Sequence, residues 1–371
     1  MSTIETTTSR RYRIAICGPG GAGAACIRAA LTLPELELVG VLVYSEAKHG
    51  KDLGGLVGLA PQGIRATSDR NDIYALSPDC VLYTARDFGN FNFDEEIVAL
   101  LEHGVNVIAA PPFQYLKVRG DKIAAKFEAA CKKGGATLYG TGICPGFMFE
   151  RLALTATGAS NHIKHIMLEE FIRTGAAESQ ETMEIFGFGV PIEQARQSET
   201  AVKIAEQYER QFLYYAGDVL GVPIPGLTRS SSFSVTPVEL KAPTMVLKAN
   251  TVAFATHKWE GVSELGTMLT FKTHWYMSDE FRPAGIPCDD YYRITIEGEP
   301  SLRIGVELKA SIANNQRIAP HEPSAPYFRV LAATMLQAIP GVCAAPPGVQ
   351  LIAPPSNAYW KADMRKTYVN S

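Results

Sequence analysis

The residues with the clearest chemical pattern are three glycines near the start of the chain, Gly18, Gly20 and Gly23. They follow an apolar run at residues 14–17 and precede an alanine-rich segment, the order of a buried strand, a turn and a helix. In this Gly-x-Gly-x-x-Gly spacing, the first glycine permits a tight turn, the second lets the backbone approach a pyrophosphate, and the third allows close helix packing. The free N–H groups that begin the helix would bind the diphosphate of a dinucleotide.

A second strand pattern, residues 36–44, completes a β-α-β unit of about thirty residues, which is the context that the glycine motif requires. The adenosine ribose of a bound dinucleotide lies at the end of this second strand. Ser45 and Lys48, with Lys51 nearby, suit a 2′-phosphate, whereas a carboxylate from Glu46 would favour a free 2′-hydroxyl. We therefore predict NADP as the cofactor, with NAD as the less favoured alternative.

Strand and helix patterns alternate up to residue 140, which predicts a parallel sheet covered on both faces. Ligands of such sheets lie beyond the carboxyl ends of the strands, so the loops there are the candidate binding segments. The predicted cofactor site comprises Gly18, Pro19, Gly20, Gly21, Ala22, Gly23, Ser45, Lys48, Thr84, Ala85, Arg86, Ala110, Pro111, Gly142, Cys144 and Pro145. Arg86 and Asp87 are adjacent, so a solvated ion pair is the alternative interpretation of that loop.

A glycine-dense loop at residues 140–147 carries a resemblance to a known family. Its sequence, Gly-Thr-Gly-Ile-Cys-Pro-Gly-Phe, resembles the Gly-Thr-Gly-x-Asn-Pro-Gly-Phe loop of dihydrodipicolinate reductase-like proteins related to 2,4-diaminopentanoate dehydrogenase, a group that includes native amine dehydrogenases. Further matching segments lie at residues 38–45, 104–108, 187–189, 292–298 and 339–348. The resemblance implies a Rossmann domain joined to a substrate-carrying α/β domain, NAD(P)-dependent chemistry at a C–N centre, and a homodimer.

Two positions depart from the pattern of the family that the chain resembles. The amine dehydrogenases of that group carry a glutamate in the loop after the strand at residues 106–110, where this chain has Pro111, Pro112, Phe113 and Gln114. A neutral amide cannot accept a proton as a carboxylate does. Cys144 replaces the usual asparagine of the glycine-dense loop.

Other residues must therefore supply the proton transfer, and we take Glu170, Tyr139 and His257 as the catalytic candidates, with Tyr83 as a further one. Glu170 lies in a predicted strand over residues 163–170, where a solvent-facing edge residue is the alternative, and His257 is equally consistent with a surface or hydrogen-bonded histidine. The predicted substrate-binding residues are Pro112, Phe113, Gln114, Phe147 and Glu170.

These observations predict an enzyme, an NADP-dependent oxidoreductase that transfers hydride to or from a C=N or C=O centre of a small, mostly apolar substrate. The alternatives are a reductase of an activated C=C bond, or a cofactor-binding family member without amine dehydrogenase turnover. The second follows from the missing glutamate near Pro112.

The predicted fold class is α/β: an N-terminal Rossmann-type parallel sheet with a second α+β domain on a mixed or antiparallel sheet. The expected boundaries are residues 1–150 for the dinucleotide-binding domain, 151–325 for substrate binding and dimerisation, and 326–371 for a helix and tail that return to the first domain. A long helix is expected over residues 193–220 and antiparallel strands over residues 233–308. The apolar positions of the long helix are interpreted as core or dimer contact.

Composition restricts the remaining possibilities. The net charge is −3, and no basic cluster favours nucleic acid or an anionic membrane. No uninterrupted apolar run reaches the roughly 18 residues of a membrane span. The seven cysteines form no C-x-x-C pair, and the histidines and carboxylates show no metal-ligand spacing, which predicts reduced thiols in the cytoplasm and no metal.

Overall fold

The computed structural model describes residues 10–87, 89–110, 112–174, 180–313, 324–356 and 358. The first part of the chain contains β1 (Tyr12–Cys17), α1 (Gly21–Ala30), β2 (Leu36–Leu42), α2 (Leu53–Val57), α3 (Arg70–Ala75), β3 (Cys80–Tyr83), α4 (Asp94–Glu102), β4 (Asn106–Ala109), α5 (Asp121–Gly134) and β5 (Thr137–Gly140). The second part contains α6 (Leu154–Thr157), β6 (Asn161–Arg173), α7 (Gln180–Ile185), α8 (Ile192–Arg196), α9 (Glu199–Val219), β7 (Thr228–Val235), β8 (Leu240–Lys241), β9 (Val246–Leu247), β10 (Val252–Val262), β11 (Met268–Tyr276), β12 (Tyr291–Glu299), β13 (Leu302–Glu307), α10 (Pro326–Ala344) and β14 (Gly348–Gln350).

The N-terminal sheet has six strands in the order β14, β5, β4, β3, β1, β2, and all of its pairs are parallel. Side chains of β1 alternate between its two faces: Ile14 and Ile16 join the core beneath α1, whereas Ala15 and Cys17 join the core beneath α4 and α5. Burial on both faces explains why residues 14–17 of β1 are all apolar. The predicted α/β fold class is confirmed.

The strand order reverses at β1, which lies between β2 and β3. A crevice forms outside the carboxyl ends of the strands at such a reversal, and this is where open α/β sheets bind their ligands. The glycine turn follows β1 directly, so it lies at this crevice.

The second sheet is mixed, with the order β13, β12, β6, β11, β10, β7. The strands after residue 233 pair antiparallel with one another, as the sequence predicts, and the parallel pair of β11 with the earlier strand β6 makes the whole sheet mixed. α9 packs on the inner face of this sheet, where the Phe212 ring contacts Phe271 at a centroid distance of 5.0 Å. The expected helix over residues 193–220 is divided into α8 and α9.

The C-terminal segment returns to the first sheet. α10 packs against α1 and against β3, β4 and β5, and β14 adds an edge strand beside β5 that the sequence did not predict. Within the described ranges, α10 is the one helix whose length and composition would allow it to cross a membrane. Its buried side chains, among them Phe328, Met335 and Ile339, belong to the core beneath the parallel sheet.

Candidate active site

One cavity of about 910 Å³ joins the crevice of the parallel sheet to the inner face of the mixed sheet. The loops after β1, β2, β3, β4 and β5 line one end, and side chains of β6, α9, β10, β11 and β12 line the other. We call the first end the cradle and the second the chamber. Their continuity places a ligand bound at the cradle next to groups of the chamber.

The cradle has the backbone geometry that the three glycines predict. Gly18 adopts φ +85°, and a Cβ there would lie 2.7 Å from the backbone of Ala85. A Cβ on Gly23 would lie 2.3 Å from the carbonyl oxygen of Gly18, which the Thr84 hydroxyl also contacts as a donor at 2.8 Å. Protein packing therefore requires these two glycines.

Gly20 differs from its two neighbours in the motif, because a Cβ on it would meet nothing within 4 Å. It has ordinary extended backbone at the N-cap of α1, with φ −79°. The described residues leave this side open, which fits the close approach of a pyrophosphate to the first N–H groups of the helix. The cradle thus fits a dinucleotide.

The far end of the cradle contains the groups expected beside the adenosine ribose. Ser45 and Lys48 line the cavity, Arg86 does so from the loop after β3, and Glu46 is not among the lining residues. Tyr44 also lines this end and shares a 2.9 Å hydrogen bond with the Tyr83 hydroxyl.

The chamber has apolar and aromatic walls that include Ile172, Phe186, Tyr208, Trp259, Phe271 and Trp275. Aromatic rings meet there at close range, with Phe186 and Trp275 edge to face at a centroid distance of 4.9 Å. Such walls exclude water from a small substrate and can pack against its apolar part.

Glu170 faces the chamber from β6, whereas its neighbour Glu169 lies on the opposite face and accepts a 2.8 Å hydrogen bond from Arg293. Glu170 is 8% exposed, and its Oε1 accepts a 2.8 Å hydrogen bond from Trp275 Nε1. Burial raises the pKa of Glu170 to about 7, against the opposing effect of the Trp275 hydrogen bond. A carboxyl group with this pKa exchanges a proton near neutral pH.

His257 also faces the chamber, and its Nδ1 is 2.7 Å from the Ser231 hydroxyl. Burial lowers the pKa of His257 to about 4, and the charge of Arg229 lowers it further. The imidazole is therefore neutral at physiological pH.

Most predicted site residues line this cavity. They are Gly18, Pro19, Gly20, Gly21, Ala22, Ser45, Lys48, Thr84, Ala85, Arg86, Ala110, Gly142, Cys144, Pro145, Glu170 and His257. Gly23 lies behind the cradle and supports it by close packing. Pro111 lies outside the described residues.

Five predicted residues are placed elsewhere. Tyr139 is buried in the core, where its hydroxyl accepts a 2.7 Å hydrogen bond from Arg151, so we withdraw it as a catalytic candidate. Phe113 packs on Phe127 at 5.4 Å, and Gln114 donates a 3.4 Å hydrogen bond to the Thr141 carbonyl oxygen. Pro112 and Phe147, like these three, are absent from the residues that line the cavity.

The path of the loop after β4 explains this difference. Gly140 lies so close to it that a Cβ on Gly140 would be 2.3 Å from the carbonyl carbon of Phe113. The loop therefore packs against β5, and the side chains of Phe113 and Gln114 are buried at 3% exposure each. The substrate wall comes from the mixed sheet and α9 instead.

Several chamber residues were not predicted, above all Glu209, Arg229, Thr273 and Tyr292. Glu209 had a detectable signal, because it interrupts an apolar stripe of α9 at positions 205, 212 and 216. Ile204 and Tyr208 of that helix also line the cavity, so the interpretation of those two positions as core or dimer contact is incomplete.

Comparisons with known proteins agree with this architecture. Over 185 residues, 48% of this chain, the sequence is 28% identical to an amine dehydrogenase from Streptomyces virginiae, and the match spans 51% of that protein. Over 306 residues, 79% of this chain, it is 24% identical to 2,4-diaminopentanoate dehydrogenase from Acetoanaerobium sticklandii, covering 83% of that protein. The chain is similar to these two dehydrogenases. The predicted resemblance is thereby confirmed, and so is the prediction of an oxidoreductase enzyme.

Solved structures show that the likeness covers most of the fold. The amine dehydrogenase from Mycobacterium smegmatis aligns with a TM-score of 0.74 at 21% identity, over 91% of this chain and 94% of that one. GenD2 from gentamicin A biosynthesis, solved in complex with NAD, aligns with a TM-score of 0.53 at 13% identity, over 92% and 89%. No protein-family model matches the chain.

Proposed function

We propose that the protein is an NADP-dependent oxidoreductase that transfers hydride to or from the C=N centre of a small, mostly apolar amine or imine. The observation that carries this proposal is the single cavity in which the glycine cradle opens into an aromatic chamber containing a buried carboxyl group, Glu170. The dehydrogenase relatives support the same reaction class.

The cofactor would bind across the cradle, with its pyrophosphate at the start of α1. Bound there, it supplies or accepts the hydride. Ser45, Lys48 and Arg86 offer a hydroxyl and two cations to a 2′-phosphate, and Glu46 does not line the cavity, which supports NADP over NAD.

Glu170 would hold or release the proton that accompanies hydride transfer. Its hydrogen bond to Trp275 fixes the carboxyl orientation, and burial gives the group a pKa of about 7. The aromatic walls exclude water, and neutral His257 offers a hydrogen bond at the chamber surface. A C=O substrate would use the same proton.

The loop after β4 favours a second candidate function, a cofactor-binding protein without turnover. The described part of that loop offers proline, phenylalanine and an amide that are buried in the core, and no carboxylate. We keep reduction of an activated C=C bond as the other chemical alternative. We further propose a cytoplasmic homodimer, as the family resemblance and the reduced-thiol composition support.

Fluorescence titration with NADPH and NADH tests the cofactor half of the proposal, and a turnover panel tests the chemistry. We expect tighter binding of NADPH, oxidation of primary amines with NADP⁺, and consumption of NADPH by cyclic imines or by ketones with ammonia. Turnover of enones alone would move the reaction to C=C. Binding without any turnover would support the second candidate, and failure to bind either cofactor would contradict both.

A further inference from the structure

The chamber contains a second buried carboxylate, Glu209 of α9. Glu209 lines the cavity and is 7% exposed. Its Oε2 is buried and has no hydrogen-bond partner among the described residues. A buried carboxylate oxygen without a partner costs free energy, so a ligand that donates a hydrogen bond to it would be stabilised.

Thr273 of β11 adds another unsatisfied acceptor to the same chamber. Its Cα is paired with that of Glu170 across the two strands, and the residue is 2% exposed. The hydroxyl oxygen of Thr273 also lacks a hydrogen-bond partner within the described ranges. Glu170, Glu209 and Thr273 therefore present three oxygen acceptors to one cavity, and a protonated primary amine carries three N–H donors.

We propose that Glu170 and Glu209 act together as an acid–base pair that binds the protonated amino group of the substrate and accepts its proton, and that the chamber selects monocationic amines with apolar bodies. This inference rests on the proposed function of the cavity. Glu209 thereby provides the carboxylate that the loop after β4 lacks.

The proton step balances within the pair and the substrate. The ammonium group and one ionised carboxylate become a neutral amine and a carboxylic acid, so the N–H bond breaks and an O–H bond forms. The neutral amine has the free electron pair that must enter the developing C=N bond. The carboxylic acid returns the proton in the reverse direction.

Burial and charge support such a pair. Burial raises the pKa of Glu209 well above its usual range, and the charge of Glu170 raises it further. Two nearby buried carboxylates cannot both ionise easily, so they hold a proton near neutral pH, and a bound cation relieves their repulsion. The rings of Trp259, Phe271 and Trp275 add a favourable environment for a cation.

Titratable groups surround the pair: the charge of Asp290 raises the pKa of Glu170, and the charge of the exposed Glu206 makes the smallest contribution to the raised pKa of Glu209. The groups around the pair are Cys144, Glu150, Glu206, Arg229, His257, Asp290 and Tyr292. Arg229 is exposed and lowers the pKa of Glu209, so the pair is not an isolated acidic cluster. A fixed anion on the substrate would be repelled by the two carboxylates, and a second cation would have to be buried among the apolar walls, so both are expected to be rejected.

Calorimetric titration with benzylamine and with neutral benzyl alcohol tests the pair on protein saturated with NADPH, with which an amine cannot be oxidised. We expect wild type to bind benzylamine at least about tenfold tighter than the alcohol at pH 8. This preference should fall between pH 8 and pH 6 as the pair becomes protonated. Glu209→Gln should remove most of the preference, while the matched control Glu206→Gln, an exposed position on the same helix, should keep it.

Glu209→Gln should still unfold at the wild-type temperature and bind NADPH with wild-type affinity, which separates the two proposals. A Glu209→Gln protein that keeps the tenfold preference would overturn the pair, as would wild type without any preference. Loss of NADPH binding by wild type would instead contradict the proposed function.

Discussion

Trp275 and Glu170 are joined by a 2.8 Å hydrogen bond in which the indole Nε1–H donates to the carboxylate Oε1. The two residues lie on the adjacent parallel strands β11 and β6, where Trp275 is two positions beyond the Cα partner of Glu170. The indole stabilises the ionised carboxylate, and burial opposes it. The balance of these two effects gives Glu170 a pKa of about 7, so the carboxyl group exchanges its proton near neutral pH.

Replacing Trp275 by phenylalanine removes that donor and should raise the pKa of Glu170 by about one pH unit. The acidic limb of the pH profile of amine oxidation should move upward, and the rate at pH 7 should fall about fivefold. Trp259→Phe is the matched control, because the Trp259 Nε1 has no hydrogen-bond partner in the described structure. An unchanged limb in Trp275→Phe would show that Glu170 does not set the profile.

Two alanine substitutions in the glycine turn should separate binding from folding. A Cβ at Gly20 would meet no atom of the described residues within 4 Å, so Gly20→Ala should change the free energy of unfolding by no more than about 0.5 kcal/mol. Its methyl group should weaken NADPH binding about tenfold, because the backbone can no longer approach the pyrophosphate. Gly23→Ala should destabilise the fold by about 1 to 3 kcal/mol, since its Cβ would meet a backbone oxygen. Chemical denaturation measures the free energy of unfolding, and titration with NADPH measures the cofactor affinity. The prediction is contradicted if the two variants change both quantities to the same extent.

Lys48→Ala should reduce NADPH affinity about fivefold to tenfold and leave NADH affinity unchanged, because a charge-assisted contact to the 2′-phosphate is lost. Lys51→Ala is the control, since Lys51 lies in the same loop but does not line the cavity. The effect should shrink at high salt. An equal loss of NADH affinity would contradict this prediction, because it would mean that Lys48 contacts a portion of the dinucleotide other than the 2′-phosphate.

His257 should make stability depend on acidity. Its pKa is about 4 in the folded chain, below the ordinary value of 6.5, so the neutral form is favoured by folding. As the pH falls from 6.5 to 4, the unfolded chain binds a proton at His257 before the folded chain does. The free energy of unfolding therefore has its full value above pH 6.5 and decreases by about 3 kcal/mol over this range. Urea denaturation at pH 7.5 and pH 4.5 should show a smaller acid destabilisation for His257→Asn than for wild type. Equal losses would show that His257 titrates normally.

Local sequence patterns were sufficient to predict the cradle. Gly18, Gly20 and Gly23 act within a few residues of one another, and the alternating elements that support them are short and strongly patterned. The cofactor-site predictions in the loops after β1, β2 and β3 therefore fall on the observed cavity wall.

The chamber depends on contacts between distant segments, and its predictions were less complete. Whether a loop at a strand end reaches a ligand depends on how the loop packs. The loop after β4 lies in close contact with Gly140, and the side chains of Phe113 and Gln114 are therefore buried in the core. Glu209 lies 39 positions after Glu170 in the chain, and only the packing of α9 on the mixed sheet brings both into one cavity. A charged residue within an apolar helical stripe was the one local sign of this arrangement.

The position of hydride transfer tests the central claim most directly. Protein is incubated with ammonia, a cyclic ketone, a cyclic enone and NADPH deuterated at the transferable C4 position, and the products are analysed by mass spectrometry. The account predicts an amine with one deuterium on the carbon bonded to nitrogen. Deuterium at the β carbon of the saturated ketone formed from the enone, with none in any amine, would contradict it.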